Sequence, residues 1–184
     1  VIITLLFYRR GVFSDQFDLV PLIKLMLEGN NWFAASFVPH GDHWHAGAYI
    51  LMLPLAALSN WSLLPEVLVN LLVSFLGWYL FQSLVKHLLG DSGRLDILFP
   101  IVLASLYFSL ANTSNLLWTW QMAVHLTTLG FFMVVYGVTM TSKTPVFLSL
   151  AIAGAFLGSI SFATGFALWP VGLFLLVTYP GIPT

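Results

Sequence analysis

The sequence predicts an all-α protein, a polytopic transmembrane helix bundle with an interfacial helix in its first loop. Hydrophobic residues make up 59% of the 184-residue chain and charged residues only 7%, whereas soluble domains carry roughly 25% charged residues. The mean hydropathy is +0.94, and the apolar residues are gathered into long runs, as in membrane-spanning helices. We therefore expect a lipid bilayer around the chain.

The same composition excludes several classes of function. The net charge is −1, so the chain has no electrostatic footprint for nucleic acid. It contains no cysteine, which rules out disulfides and thiolate metal ligands. We expect one transmembrane domain over residues 1–184, a fragment truncated at both ends, because the opening run Val1–Tyr8 is far shorter than the roughly 20 residues of a span.

Further apolar runs predict the helices. They are Ala46–Leu58, Val67–Val85, Ile97–Ala111, Met122–Met140, Val146–Ala163 and Phe166–Thr178. Pro65 opens the second run, where its missing N–H costs nothing, and Gly90 in the segment Lys86–Asp96 ends it. Thr141–Pro145 predicts a tight turn, and the short break Thr164–Gly165 predicts a helical hairpin.

The run Ala46–Leu58 leaves the topology open. It contains Pro54 and is short for a span, yet Trp44 and Trp61 bracket it like two aromatic belts. If it crosses the bilayer, all Lys and Arg residues share one side, which the positive-inside rule makes cytoplasmic. If it inserts only partway, these residues divide three to three and the loop Phe13–His45 faces outside.

The first loop carries the most chemistry. Asp15 and Asp18 are three residues apart, so on a helix both project from one face. One interpretation is that they and Ser14 cap a surface helix, and a helix beginning at Pro21 is also consistent with the sequence. The other interpretation makes one carboxylate a general base facing a lipid-borne substrate.

The segment HGDHWH, His40–His45, gathers residue types that bind metals. Its spacing matches no zinc signature with two His on one helix face. We therefore assign no metal and no cofactor, while a divalent cation is left open. Asp42 is the stronger candidate here, as a second catalytic or substrate-holding acid.

Within the apolar runs the main ionisable residue is His125, with Glu66 near a helix end. We therefore expect the chemistry in loops at one interface and no polar path through the bundle. Gln121 and His125 are four residues apart and share a helix face, and we expect His125 to form an interhelical hydrogen bond. Trp118 and Trp120 are interpreted as belt residues or as stacking surfaces for a sugar.

These features, in this order, resemble a known family. FSDQFDL (13–19) is followed by HGDHWHAGAYILMLPLAAL (40–58), then by NLLWTWQ (115–121) and SFATGFALWP (161–170). The chain resembles the N-terminal half of the GT-C superfamily, the integral-membrane glycosyltransferases that use polyprenyl-phosphate sugars. It looks most like bacterial members with an acidic SDD-like motif and a later NEHR-like motif.

The resemblance implies roles for single residues. Asp15 matches the catalytic Asp of the first loop, and Gln16 stands where a second acid is often found. Asp42 and His43 match the acid and the histidine of the later motif, whose arginine is replaced by Trp44. In the same way, polar positions of the family are matched by Gln121 and by the pair Thr164–Gly165.

The implied function is transfer of a sugar from a polyprenyl-phosphate donor to an extracytoplasmic acceptor. The candidate catalytic residues are Asp15, Asp18 and Asp42, and the candidate substrate-binding residues are Lys24, His43 and Gln121. Arg9 and Arg10 are further candidates for the lipid phosphate. The implied location is a bacterial inner membrane with the Phe13–His45 loop extracytoplasmic, and the alternative is a transporter, flippase-like or structural membrane protein without transfer chemistry.

Overall fold

The computed structural model describes residues 14–41, 43–90, 95–109, 113–141 and 144–179. Within these ranges the chain is helical and forms no β-strand, so the all-α prediction is confirmed. The helices are α1 (Leu19–Leu27), α2 (Trp32–Ala35), α3 (Ala46–Leu58), α4 (Leu63–Leu89), α5 (Leu95–Tyr107), α6 (Thr113–Leu117), α7 (Met122–Thr141), α8 (Val146–Ser161) and α9 (Leu168–Thr178). Short 3-10 helices cover Ser14–Asp18, Thr119–Gln121 and Ala163–Ala167.

Local signals in the sequence account for several helix ends. α4 begins two residues before Pro65, so the proline lies in the first turn, where no helical bond needs its N–H. The helix stops at Gly90, which has a φ of 67° and donates its N–H to the Lys86 carbonyl at 3.1 Å. The predicted stop is therefore confirmed, and α8 and α9 pack together as the predicted hairpin.

The start of α1 differs from both interpretations of the sequence. Asp18 stands at the N-cap position but has helical backbone angles and makes no capping hydrogen bond. Its carboxylate oxygen instead lies 3.1 Å from Nδ1 of His40. The Ser14 hydroxyl donates to Oδ1 of Asp15 at 2.9 Å. The predicted capping role is therefore wrong for Asp18, whereas Asp15 lies in the first turn of the 3-10 helix Ser14–Asp18. α1 follows this helix and begins at Leu19, two residues before Pro21.

Glycines allow α7 and α8 to pack at backbone contact. A Cβ atom at Gly130 would come 2.5 Å from the carbonyl oxygen of Gly154, and one at Gly137 would come 2.7 Å from the backbone nitrogen of Ala151. No side chain fits between the helices at these positions. Small residues are what membrane helices commonly place at such interfaces.

Polar side chains join α4 to α7 and α6. The Ser74 hydroxyl lies 3.1 Å from Nδ1 of His125, and Nε2 of the same ring lies 3.3 Å from the Asn115 carbonyl. The Asn70 amide donates to the Leu116 carbonyl at 3.2 Å. The interhelical hydrogen bond expected for His125 is therefore confirmed.

The interior is nevertheless more polar than the sequence predicts. Glu66, Asn70 and Ser74 follow one another at intervals of four on α4, and each is 0% exposed. Together with His125 they form what we call the polar stripe. The sequence prediction missed it because Asn and Ser lie within an apolar run, and only the packing shows that they face α7.

α3 does not carry the chain from one end of the packed helices to the other. It follows His45, whose ring lies 5.2 Å from that of Trp120, just before α7. Soon after α3 ends, the Asn70 amide on α4 donates to the Leu116 carbonyl at 3.2 Å. Both ends of α3 therefore lie near residues 115–121, which agrees with the non-spanning topology. We call this region the histidine end of the molecule.

Two of the described helical segments are long and apolar enough to cross a membrane. They are Leu63–Leu89 and Thr119–Thr141. The apolar segments Ala46–Leu58, Leu98–Tyr107, Val146–Ser161 and Ala163–Thr178 are shorter. Length and composition thus support an association of the chain with a membrane.

Candidate functional site

A pocket of about 260 Å³ lies at the histidine end, and we call it the histidine pocket. Its walls come from the 3-10 helix Ser14–Asp18, the segment His40–His45, the segment Trp118–Val124 and Phe162. Its volume is below the roughly 300–1,000 Å³ of sites for drug-sized ligands. It therefore suits a small polar group or a single ring of a larger ligand.

A tight backbone turn positions the histidines. The N–H of His40 donates to the His43 carbonyl at 2.8 Å, and the N–H of His43 donates back to the His40 carbonyl at 3.1 Å. Gly41, in the turn between them, has a φ of 56°, which glycine adopts without strain. Directly paired residues project to the same face, which brings the side chains of His40 and His43 together. His45 follows two residues later, at the start of α3, and its ring lies near both.

The three imidazole rings form a cluster with neighbouring aromatic rings. The centroids of His40 and His45 are 5.5 Å apart, and those of His43 and His45 are 6.3 Å apart. Trp120 lies 5.1 Å from His40, and Phe162 lies 4.4 Å from His43. The histidines are thus held by ring packing, and His45 among them is buried.

His45 is the most unusual member of the cluster. It is only 4% exposed, and neither ring nitrogen has a hydrogen-bond partner in the described part of the chain. Burial, followed by the neighbouring rings of His40 and His43, lowers the pKa of His45 to about 4, although Asp15 acts in the opposite direction. The ring is therefore neutral at pH 7.

Asp15 provides the carboxylate of the pocket. Its side chain is half-buried and lines the wall together with the histidines. The adjacent Gln16 is 1% exposed and donates a hydrogen bond to the hydroxyl of Thr119, 103 positions along the chain. This buried bond anchors the short 3-10 helix against the tryptophan-rich segment, and it thereby holds Asp15 at the pocket.

The structure brings together some of the residues predicted from the sequence. Asp15, His43 and Gln121 line the histidine pocket. Asp18 is not part of the pocket wall, but its carboxylate contacts His40, and His40 is a wall residue. Lys24 is absent from the wall, since its side chain is 75% exposed and pairs with Glu28.

Other predicted residues lie elsewhere. Asp42, Arg9 and Arg10 fall outside the described residues. Trp44 is 40% exposed and packs on Phe166, with ring centroids 5.9 Å apart. The Thr164–Gly165 pair does not line the pocket.

Sequence reasoning grouped His40 and His45 as possible metal ligands and offered Trp120 as a stacking surface for a sugar, but it did not join them with Phe162 in one site. Trp120 is 6% exposed, so it is a buried wall residue and not a membrane-belt residue. A usable signal was present in the crowding of three histidines around the glycine turn at Gly41. Phe162 has no comparable signal, because its neighbours come from a distant part of the chain.

No group of three His, Cys, Asp or Glu side chains within the described ranges is arranged to hold a metal ion. Comparison with known proteins found no matching family model, no similar curated protein and no similar solved structure. The pocket is therefore interpreted through its own chemistry. A carboxylate, imidazole rings, an amide and indole faces can exchange a proton and bind a hydroxyl-rich ligand.

Proposed function

We propose that the chain is part of an integral-membrane glycosyltransferase that moves a sugar from a polyprenyl-phosphate donor to an extracytoplasmic acceptor. The observation that carries the proposal is the convergence of Asp15, His43 and Gln121 on the histidine pocket. These residues come from three distant segments, and each matches a functional position of the GT-C superfamily that the sequence resembles. Their convergence supports a shared site.

Membrane placement is supported by the outward faces of the helices. On α4, Leu72, Phe75 and Tyr79 are each about half exposed, and on α8 the same holds for Ile152 and Phe156. Apolar surface of this extent is unfavourable in water and favourable in hydrocarbon. We place the chain as a polytopic bundle in a bacterial inner membrane, with the Phe13–His45 loop and the histidine pocket extracytoplasmic.

In the proposed reaction Asp15 accepts the proton of an acceptor hydroxyl. The hydroxyl oxygen then forms a bond to the anomeric carbon, the bond from that carbon to the phosphate oxygen breaks, and the polyprenyl phosphate leaves. His43 and Gln121 hold sugar hydroxyls by hydrogen bonds, and the indole of Trp118 offers an apolar face to the ring. Asp18 acts through His40, whose ring it orients.

The lipid phosphate needs a cationic partner, and the pocket wall as described holds no Lys or Arg. Lys24 is turned towards Glu28, with 3.8 Å between Nζ and Oε1. We therefore assign the phosphate contact to Arg9 or Arg10, whose planar guanidinium groups bind phosphate through paired hydrogen bonds. Asp42 remains the proposed second acid.

The test replaces Asp15 with Asn, which keeps the size of the side chain and removes the base. Membranes containing the protein are incubated with a panel of polyprenyl-phosphate hexoses, and sugar transfer is measured. We expect Asp15→Asn to lower transfer by about 100-fold or more. Glu28→Gln, which removes an exposed acid at the end of α1, should leave it unchanged. If the Asp15→Asn variant transfers sugar as fast as the wild type does, the assignment of Asp15 as the base is rejected.

A second candidate function is transport without transfer chemistry, and the polar stripe favours it. Glu66 is 0% exposed, and polar residues within membrane helices commonly mark substrate or proton pathways. In that case Glu66→Gln would abolish proton-driven uptake in vesicles, while Asp15→Asn would have little effect. The glycosyltransferase proposal predicts the opposite order of effects.

A further inference from the structure

A second pocket lies at the far end of α4 from the histidine pocket, between α4 and α5. Its volume is about 660 Å³, and its walls are mainly apolar, with Leu89 from α4 and Phe99 and Pro100 from α5. Leu89 is 60% exposed and Tyr79 is 57% exposed, so the pocket is open to its surroundings. Hydrocarbon chains of a bilayer could therefore enter it from the side.

Three hydrogen-bond donors follow one another along the α4 wall of this pocket. Trp78, Gln82 and Lys86 are spaced by four residues and so lie on one helix face. The indole Nε1 of Trp78 and the amide Nε2 of Gln82 are buried and have no hydrogen-bond partner in the described part of the chain. Buried donors without acceptors are costly, so these groups indicate a ligand that supplies acceptor oxygens.

None of the described wall residues is an Asp or Glu that could neutralise Lys86. The described part of the site thus combines one cation, two uncharged donors and an apolar groove. Its chemical complement is a molecule with an anionic head, acceptor oxygens next to the head and a hydrocarbon tail. A phospholipid with a net negative charge has these three parts in this order.

We propose that this pocket binds one anionic phospholipid, with its phosphate at Lys86, its linking oxygens at Gln82 and Trp78, and an acyl chain that continues past Trp78 along Tyr79 and the exposed Phe75 of α4. Gln82 lies one helical turn, about 6 Å, from Lys86 along the axis, and Trp78 lies a further turn away. Basic pockets between membrane helices commonly bind anionic headgroups in this way. The inference rests on the proposed membrane placement and does not depend on sugar transfer.

The experiment purifies the protein in mild detergent, adds an equimolar mixture of dioleoyl phosphatidylglycerol and dioleoyl phosphatidylcholine, and counts bound lipids by native mass spectrometry. We expect one phosphatidylglycerol to be retained with about a tenfold preference. Lys86→Gln should remove the preference, Lys86→Arg should keep it, and Gln82→Leu should weaken it. Lys24→Gln, which changes an exposed lysine on α1, should bind as the wild type does.

Equal binding of the two lipids by the wild type, or an undiminished preference in Lys86→Gln, would overturn the proposal. Size-exclusion profiles confirm that each variant is folded, and Gln82→Leu provides an independent check on the site. A protein recovered in the aqueous fraction without detergent would overturn the membrane placement itself. A detergent-extracted protein without lipid preference would overturn only this inference.

Discussion

His45 acquires its properties from the residues packed around it. Its ring lies 5.9 Å from that of Tyr49, 5.2 Å from Trp120 and 5.7 Å from Phe162. A charged imidazolium in this setting would lose its hydration without gaining a hydrogen-bond acceptor. The surroundings therefore keep the ring neutral, and His45 lies outside the helices that are long enough to cross a membrane.

This neutrality predicts acid-sensitive stability. His45 titrates near 6.5 when unfolded and near 4 when folded, so between these values the unfolded state binds more protons and acid favours unfolding. The stability that the neutral His45 ring contributes is fully present above pH 6.5 and is lost as the pH falls to 4. The loss in the free energy of unfolding is about 3 kcal/mol at most. We expect the thermal midpoint in detergent to fall across this window, and the fall to be smaller in His45→Phe.

In the His45→Phe variant, the phenylalanine keeps the ring packing and removes the group that titrates. A pH profile of His45→Phe that matches the wild type would contradict the role assigned to burial.

A second prediction at this scale concerns the polar stripe. Ser74→Ala removes the partner of Nδ1 of His125 and leaves that nitrogen unsatisfied in the interior. We expect a loss of about 1 kcal/mol in the free energy of unfolding. Ser105→Ala is the control, since the Ser105 hydroxyl is exposed and bonds only within its own helix. Equal losses in the two variants would indicate that the bond between α4 and α7 adds nothing.

At the scale of helices, α7 and α8 pack at backbone distance, and this contact depends on glycine. Gly154→Ala would bring the new methyl group 2.6 Å from the Gly130 carbonyl oxygen and 3.1 Å from the Val134 nitrogen. The backbones would have to separate, and we expect a loss of about 1–3 kcal/mol. The loss in the free energy of unfolding is measured by denaturation of the variant and the wild type in detergent.

Gly172→Ala on α9 is the matched control for this contact. A Cβ atom there would meet only Cγ1 of Val134 at 3.2 Å, and this methyl group can shift. We expect a much smaller loss than for Gly154→Ala. Equal losses would mean that the cost comes from helix propensity or chain entropy and not from the close approach of α7 and α8.

For the whole molecule, the course of α3 decides the topology. The chain has no cysteine, so single cysteines report cleanly on accessibility. Asn31→Cys and Ser62→Cys place exposed labels before and after α3. We expect an impermeant thiol reagent to label both from the same side of the membrane and Thr144→Cys, beyond α7, from the other side. Labelling of positions 31 and 62 from opposite sides would show that α3 crosses.

The course of α3 also explains which parts of the site were predictable. Asp15 and His43 could be named as candidates because they lie in the polar first loop, and all three residues, with Gln121, match positions of the family that the sequence resembles. Their meeting in one pocket depends on α3 returning to the histidine end, which the charge count of the loops left open. The buried partner of Gln16 lies 103 positions away, and no local pattern predicts such a pair.

The sequence by itself determined the all-α class, the membrane-like composition and several helix ends, because hydrophobic runs, proline and glycine act over a few neighbouring residues. Only the tertiary structure decided that Asp18 contacts His40 instead of capping α1, that His45 is buried and that a polar stripe lies between α4 and α7. These features depend on which helices pack together and on which faces they present. Between α7 and α8, close contacts of glycines set that packing. These glycines are too far apart in the sequence for local helix propensities to specify the contact.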